Sequence, residues 1–510
     1  MRVDPKVANL LQRAEEQFRF SSYAQARALA QRALELAPRS ASACHMLAAI
    51  AFAEGNLDES KRMFERAVAF DPSAAHLRYH LGNVLRLRGE FEHSVASLRR
   101  ALKLDPGYEM AYLVLGAALR GLGRSAEAVE SLRRYVERRP NDADAHHEMA
   151  NAYRDLGSFE QSLDEVRIAL RIDPGHMPAR KGLAGLLLLQ DRFAEGWPVW
   201  LQTFTNKKLL LPDPGTRGDA FRDKRVVVYG NEGVGDEVMF ASCIPDLTHY
   251  AREVAIHSEA RLVPLFARSF PGVQVRAMTK QGTRLTVGQI APDELHLLTN
   301  YLPAYLRFGL ESFPKRASYL IPDPAKVDEW RRRFEALGAG VKVGLSWRGG
   351  LDPVKRAQRS IPLAYWAPVV RGLDAHFVCL QYGEAAVEID QLRRACGVKL
   401  HRWNDADPLL DLDSFAAQIA ALDLVVSVDN STVHLAGALG TRVWALLPAS
   451  ADWRWRLNCE DTPWYPSMTL VRQHEHARWE EVLKKVRVML ASFTSVQSAS
   501  SRDPTPTEPA

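Results

Sequence analysis

Two stretches of this chain hold side chains suited to making and breaking bonds. The first, GNEGVGDE at 230–237, follows the run RVVVY and ends on Asp236 and Glu237. Three glycines after a strand suggest a phosphate cradle. The spacing, however, is G-x-x-G-x-G and not the dinucleotide pattern G-x-G-x-x-G. Two acids at a helix start satisfy the dipole themselves and repel a pyrophosphate brought to the same place. A carboxylate fixed there and facing a cleft is better suited to take a proton from a hydroxyl. Asp236 and Glu237 are therefore both candidates to accept a proton, and either is otherwise a capping or positioning residue. The plainer alternative is that both acids only cap the helix. Gly233 and Gly235 let a ligand come close to the backbone.

The second stretch is SVDNSTVHLAGALG at 427–440. A strand gives way to a helix, whose first N–H groups form an anion site. Asn430, Ser431 and Thr432 are placed to donate to a diphosphate. Asp429 precedes them, and His434 lies one turn in, on the face of Asn430. Gly437 lets the helix pack closely on the sheet. The alternative is an ordinary helix capped by Asp429 or Asn430. Between the two stretches lies SWRGGLDPVKRAQRS at 346–360, a glycine-rich loop with Trp347, Arg348, Lys355, Arg356 and Arg359. Its cations suit a leaving group that gains negative charge. Part of this set is a solvated basic loop. Gln381, ending the strand in CLQYG, is placed to touch a nucleotide base.

Other patterns are weaker. Acid pairs of the D-x-D type occur at 142–144, 405–407 and 411–413, and three occurrences in one acid-rich chain show how cheaply the pattern arises. HEH at 474–476 lacks H-E-x-x-H spacing, so no metal site is expected. DWRW and TPWYP supply Trp453, Trp455, Trp464 and Tyr465, either a cleft wall or a packed aromatic corner. Glu259 is the acid that a dinucleotide enzyme would need after its second strand, a reading set aside with the glycine spacing.

These residues need elements to hold them. From 225 onward, short β-branched runs (RVVVYG, VAIHS, VKVGLSW, HFVCLQYG, LDLVVSVD, TRVWALLP) alternate with helical segments. The alternation predicts parallel sheets with helices on both faces and ligands at the carboxyl ends of strands. Two chemically equipped strand ends far apart in the chain predict two nucleotide-binding-type domains facing across a cleft, the GT-B arrangement. Before 207 the grammar differs. Pro38, Pro72, Pro106, Pro140 and Pro174 stand 34 residues apart, the tetratricopeptide period. Small residues recur at the eighth position of each repeat (Ala14, Ala48, Gly82, Gly116, Ala150) and at the twentieth (Ala26, Ser60, Ser94, Ala128, Ser162). Each proline stops a second helix. The expected product is an α-solenoid with a concave face. There, Asn83 and Asn151 can bond a peptide backbone, and Arg86, Arg120 and Arg154 favour acidic groups; the alternative is a simply solvated groove.

Composition sets limits. A chain of 510 residues exceeds one core. A net charge of +5 excludes a strongly basic nucleic-acid binder. Neither a signal peptide nor a membrane-length apolar run is visible. Five dispersed cysteines argue for reduced thiols and a cytoplasmic location.

Together, GNEGVGDEVMFASCIPDL, VGLSWRGG with RSIPLAYWAPVV, SVDNSTVHLAGALG and DWRWRLNCEDTPWYPSM resemble the family-nine glycosyltransferases, relatives of the heptosyltransferases. The likeness is greatest to the bacterial branch with N-terminal tetratricopeptide repeats. It covers about 217–493, and the layout is also similar to O-linked N-acetylglucosamine transferases. The resemblance implies an inverting, metal-independent transfer from a nucleotide sugar, with no cofactor. It implies Asp236 as base, Asp429, Ser431 and His434 at the donor, and Arg359 or Lys355 at the diphosphate. The expected organisation is repeats at 1–206 (five at 7–176 and a degenerate sixth), a linker at 207–220, an acceptor-side domain at 221–322 and a nucleotide-sugar domain at 323–478. A helix crossing back to the first domain (479–495) and a disordered tail (496–510) follow. The expected acceptor is a protein hydroxyl, such as flagellin or another surface protein, recruited by the repeats. A glycan or lipid-linked acceptor and an inactive scaffold are the competing expectations.

Overall fold

The computed structural model describes residues 4–203, 211–278, 291, 293–350, 353–474 and 478–500. Two compact units emerge. The first runs to Ala179 and takes in a short later segment ending at Gln358; the second holds the rest from Arg180.

The first unit is a stack of helical hairpins, beginning with Pro5–Arg19 and Tyr23–Leu36 and ending with Ala143–Asp155 and Phe159–Ile172. The small residues at the eighth and twentieth positions mark where each pair touches. Ala14, Ala48, Ala26, Ser60, Ser94 and Ala128 are all fully buried. A Cβ at Gly82 would lie 2.6 Å from Leu98, and one at Gly116 would lie 2.5 Å from Leu132. The serines add a bond that the sequence pattern does not announce. Ser60, Ser94 and Ser162 each donate to the eighth-position carbonyl of the partner helix, Ala48, Gly82 and Ala150. Gly55, Gly89, Gly123 and Gly157, again 34 apart, turn the chain between helices at φ 79°, 78°, 72° and 75°, a conformation that favours glycine.

The expected groove residues are largely engaged with one another. Arg120 donates to Asp155 at 2.9 Å and to Glu148 at 2.7 Å, and is itself buried. Arg154 also meets Asp155. Arg86 donates to Asn83 at 3.1 Å, and Asn151 bonds His147. The expectation that Arg120 draws acidic partners is thus corrected: a guanidinium this buried needs an internal counter-charge, and Asp155 supplies it.

The sixth helical pair, Met177–Leu189 and Phe193–Leu201, forms as expected but groups with the second unit. Trp197 and Trp200 explain why. Their indole N–H groups are buried and donate to the carbonyls of Arg307 and Asn300 at 2.7 and 2.9 Å. A buried indole requires such an acceptor. Asp191 adds an ion pair with Arg456 at 2.8 Å.

The second unit contains two parallel sheets. The first is built from β1 (Arg225–Tyr229), β2 (Glu253–Ser258), β3 (Gln274–Ala277) and β4 (Glu294–Leu298), in the order β3-β2-β1-β4. The second comprises β5 (Val341–Ser346), β6 (Ala375–Cys379), β7 (Leu400–His401), β8 (Leu424–Val428), β9 (Val443–Leu447) and β10 (Met468–Arg472), ordered β10-β9-β8-β5-β6-β7. Every neighbouring pair is parallel. In each sheet the winding reverses next to its first strand, β1 or β5, and such a reversal opens a crevice at the carboxyl ends. The segment DEVMFASCIPDLTHYA forms two helices (Val234–Ala241 and Ile244–Tyr250), divided ahead of Pro245.

The last helix, Trp479–Ser500, extends into the stretch expected to be disordered; 501–510 lie outside the described residues. Thr494 and Ser495 both bond back to the Ala491 carbonyl, which lets polar residues remain helical. The helix buries Trp479, Val482, Leu483, Val486 and Leu490 in the core of the six-stranded sheet. It therefore braces that sheet, in place of the expected crossing to the other, because its apolar stripe is used up there. Among the described residues no helix is long and apolar enough to cross a membrane.

Candidate functional site: a chain of acids and guanidiniums between two strand ends

The carboxyl end of β1 and that of β8 come together. Helix Val234–Ala241 packs against helix Ser431–Ala438, with Gly235 at the crossing. A Cβ there would stand 3.0 Å from Cδ2 of His434 and 3.2 Å from Cα of Ser431. Gly235 thus makes room for the protein's own second helix. Gly230 serves a similar purpose: an added Cβ would lie 2.3 Å from the carboxyl carbon of Glu237. That carboxylate is buried and accepts the backbone N–H of Glu259 at 3.0 Å, beyond the end of β2. Glu237 is therefore a positioning residue, as expected. Glu259 is itself paired with Arg261. Gly230→Ala is expected to cost about 1–3 kcal/mol, the usual range for overfilling a packed interior, read as a lowered urea midpoint with unchanged slope.

Asp236 behaves differently. Its side chain is 27% exposed, and one oxygen accepts from Arg454. Arg454 also donates to Asp452 at 2.5 Å. Asp452 lies 3.7 Å from Arg359, which lies 3.3 Å from the buried Asp429. The result is an alternating series, Asp236, Arg454, Asp452, Arg359, Asp429, that runs from one sheet's strand end to the other's. Three carboxylates face two guanidiniums. The Asp429 contact is an ion pair without hydrogen-bond alignment, so Oδ2 of Asp429 has no hydrogen-bond donor among the described residues.

Arg454 is the member of this series that sequence reasoning passed over. DWRW drew notice for its tryptophans, and those do pack: Trp453 lies against Trp197 and Trp200, and Trp455 against His434. The available signal was an arginine flanked by aromatic rings, since such rings shield a buried ion pair. Arg454 lies 4.7 Å over Trp453. Burial opposes its charge, but Asp236 and Asp452 more than offset this and hold the guanidinium well above its ordinary range.

Several other expected contacts are structural. Trp347 is fully buried in the core of the six-stranded sheet and donates to Glu388, so it cannot face a ligand. Gln381 is buried too. Its carbonyl accepts the N–H groups of Trp347 and Arg348 at 2.9 and 2.8 Å, which fastens the turn after β5 and corrects its expected contact with a base. Arg348 turns to Glu388 and the Glu384 carbonyl. Asn430 caps its helix by accepting from Thr432 and donates to Ser346 and the Arg348 carbonyl, so both its donors are used inside the protein. Gly437 admits the Tyr465 ring, at 2.5 Å from an added Cβ, and its expected role at the sheet is corrected accordingly. Ser431 is half-buried at the first helical position, and the buried Thr432 hydroxyl has no partner among the described residues. Lys355 is exposed on helix Pro353–Arg359, which also carries Arg359.

His434 is buried, stacks on Trp455 with centroids 5.2 Å apart, and bonds Tyr465 through Nδ1 at 2.9 Å. Burial, above all, lowers its pKa to about 4, so the ring is neutral. Burial lowers His80 and His147 of the repeats to about 4 as well. In the unfolded chain these rings take up protons near pH 6.5. Stability from the three is therefore complete above about pH 6.5 and lost as the pH falls toward 4. Each ring accounts for as much as about 3 kcal/mol. Melting temperatures between pH 7.5 and 5 should fall, and less steeply in His80→Asn.

The acid pairs resembling D-x-D are caps and ion pairs. Asp142 and Asp411 accept helix N-terminal N–H groups, Asp405 meets Arg333, and Asp413 meets Arg268 and Lys326. HEH lies outside the described residues from Glu475 onward. The five cysteines are free thiols.

Comparison with known proteins bears on both halves. The tetratricopeptide repeat model matches residues 45–109, 88–143 and 147–196. The glycosyltransferase family 9 (heptosyltransferase) model matches 355–487, a span that includes Arg359, Asp429, Asp452 and Arg454 but not Asp236. Protein FlbA of Caulobacter vibrioides (strain ATCC 19089 / CIP 103742 / CB 15) is 36% identical over 328 residues, 61% of this chain and 54% of its own. The chain thus spans about half the length of that curated relative. Among solved structures, YrrB, a TPR protein with an unusual peptide-binding site, is 26% identical over 33% of this chain and 88% of its own, with a TM-score of 0.31. PilW, a type IV pilus biogenesis factor, is 20% identical over 40% and 95%, with a TM-score of 0.38. The chain joins tetratricopeptide repeats to a glycosyltransferase family 9 (heptosyltransferase) domain.

Proposed function

We propose that the second unit is a GT-B glycosyltransferase that moves a sugar from a nucleotide-sugar donor to a hydroxyl by single displacement, without a metal ion. The observation that carries this reading is the acid–guanidinium series at the two strand ends. It holds a carboxylate at one end and two arginines where a diphosphate would arrive. In the reaction, the acceptor oxygen bonds to the anomeric carbon as the bond from that carbon to the diphosphate oxygen breaks. The electron pair leaves with the diphosphate, whose growing charge meets Arg359 and Arg454. The hydroxyl proton passes to Asp236. Attack opposite the leaving group inverts the anomeric centre. An arriving diphosphate competes with Asp236 and Asp452 for Arg454, so donor binding draws Arg454 away and uncovers the base. Ser431 and the start of its helix offer further N–H and O–H donors.

The acceptor we propose is a protein side-chain hydroxyl brought by the repeats, with a surface protein such as flagellin as the type of target and the cytoplasm as the place of transfer. Tetratricopeptide solenoids serve protein interaction through their concave face, which supports this choice over a free glycan. The test incubates the full chain with a panel of nucleotide sugars and whole-cell protein, read by mass spectrometry. Sugar-sized mass additions that persist in EDTA are expected. Strict metal dependence would overturn the site as drawn. Removal of residues 1–176, which leaves Trp197 and Trp200 in place, should spare donor hydrolysis and abolish protein modification. Full modification without the repeats would remove the recruitment role.

A further inference from the structure

The second unit holds a cavity of about 960 Å³ apart from the strand-end site. Its walls include Arg217, Asp246, Tyr250, Arg307, Phe308 and Arg316. The topology places it away from the transfer residues. The turn Pro214–Phe221 leads into the amino end of β1, and helix Ile244–Tyr250 leads into the amino end of β2, whereas Asp236 and Asp429 follow carboxyl ends. The volume is that of a small-molecule site.

The cavity is rich in cations for its acids. Asp246 is one carboxylate between two guanidiniums: it accepts from Arg307 at 2.6 Å and from Arg316. Asp219, also in the wall, is paired with Arg222. Arg217 has no acid partner among the described residues; its guanidinium lies 4.0 Å over the Phe308 ring. Two buried donors are left over as well. Nε of Arg307, a residue only 1% exposed, and Nη1 of Arg316 have no hydrogen-bond partner among the described residues. A buried donor without an acceptor is costly, and both belong to side chains in the cavity wall. Arg217 moreover adopts φ 53°, ψ −140°, a conformation disfavoured for a residue with a side chain. Such strain concentrates where ligands bind.

We propose that this cavity binds a phosphate-bearing small molecule. Guanidiniums present paired donors that fit phosphate oxygens, and the Tyr250 and Phe308 rings offer an apolar face to a ring-sized body. The site is independent of the transfer reaction and of the residues assigned to it.

The test is calorimetric titration of the full chain with glucose 6-phosphate and inorganic phosphate as probes, and glucose as the uncharged control. Saturable binding of the phosphate probes is expected, with glucose at least about tenfold weaker. Arg217→Ala and Arg316→Gln should each weaken the probes about tenfold or more. If Arg316→Gln does not fold, Arg217→Ala decides alone, since Arg217 lies over the Phe308 ring and forms no ion pair among the described residues. Absence of saturable binding, equal binding of glucose, or indifference to Arg217→Ala would each overturn the proposal. Because the readout is binding, none of these outcomes bears on whether Asp236 supports transfer.

Discussion

Asp236→Asn is expected to lower transfer by ~10²–10⁴-fold, the usual effect of losing a positioned general base. The substitution keeps shape and volume. It leaves Arg454 paired with Asp452, so the fold should survive with a modest loss of stability. Donor affinity should hold or rise, because Arg454 no longer has Asp236 to bind. The acidic limb of the kcat/KM profile should disappear, since the group that must be ionised has been removed. Asp236 as a mere helix cap gives another pattern: a lower melting temperature, turnover within a few-fold of the parent, and an unchanged pH profile. Transfer assays over a pH series, beside donor titration and thermal melts, separate the two. They also settle the question raised by its salt bridge. A base held by an arginine is withheld until something displaces that arginine, and the diphosphate is the natural competitor.

Arg359→Ala should reduce kcat/KM for the donor by ~10²–10³-fold, the scale seen when one stabiliser of transition-state charge is lost. Lys355→Ala, four residues earlier on the same helix, should change it little. The contrast follows from placement. Arg359 lies 3.3 Å from Asp429 and 3.7 Å from Asp452, within the series that links the strand ends, while Lys355 is exposed. Arg359→Ala should also destabilise the protein, since the buried Asp429 loses its guanidinium. Arg359→Lys should restore stability more fully than rate, because an ammonium supplies charge but not the paired donors of a guanidinium. Steady-state kinetics for the four proteins, with urea unfolding alongside, provide the measurement. Equal losses in the Lys355 and Arg359 variants would remove Arg359 from its assigned role.

The repeats were legible because their information is local and periodic. The proline ruler and the small residues report contacts within a single hairpin, and the buried Ala14, Ser60 and Ala128 lie where the period puts them. In the second unit, the six strands read from sequence are the six inner ones, β1, β2, β5, β6, β8 and β9. The four it did not reveal, β3, β4, β7 and β10, are all at sheet edges. An inner parallel strand is covered on both faces and spells a continuous apolar run. An edge strand need not: β3 is largely exposed, and β7 has only two residues.

At the site, the sequence by itself determined which loops follow strands and so where the chemistry gathers, with Asp236, Asp429 and Arg359 among the candidates. Only the tertiary structure decided the partners. It set Arg454 beside Asp236, 218 positions away in the chain. It turned Gln381 and Asn430 inward to hold loops, and gave Gly230 and Gly235 to the packing of Glu237 and His434. The physical reason is that a glycine, an amide or an arginine shows its type in the sequence but not its neighbour. Hydrogen bonds and ion pairs are satisfied by whichever group the fold brings within about 3 Å, and for Asp236 that group follows a strand of the other sheet.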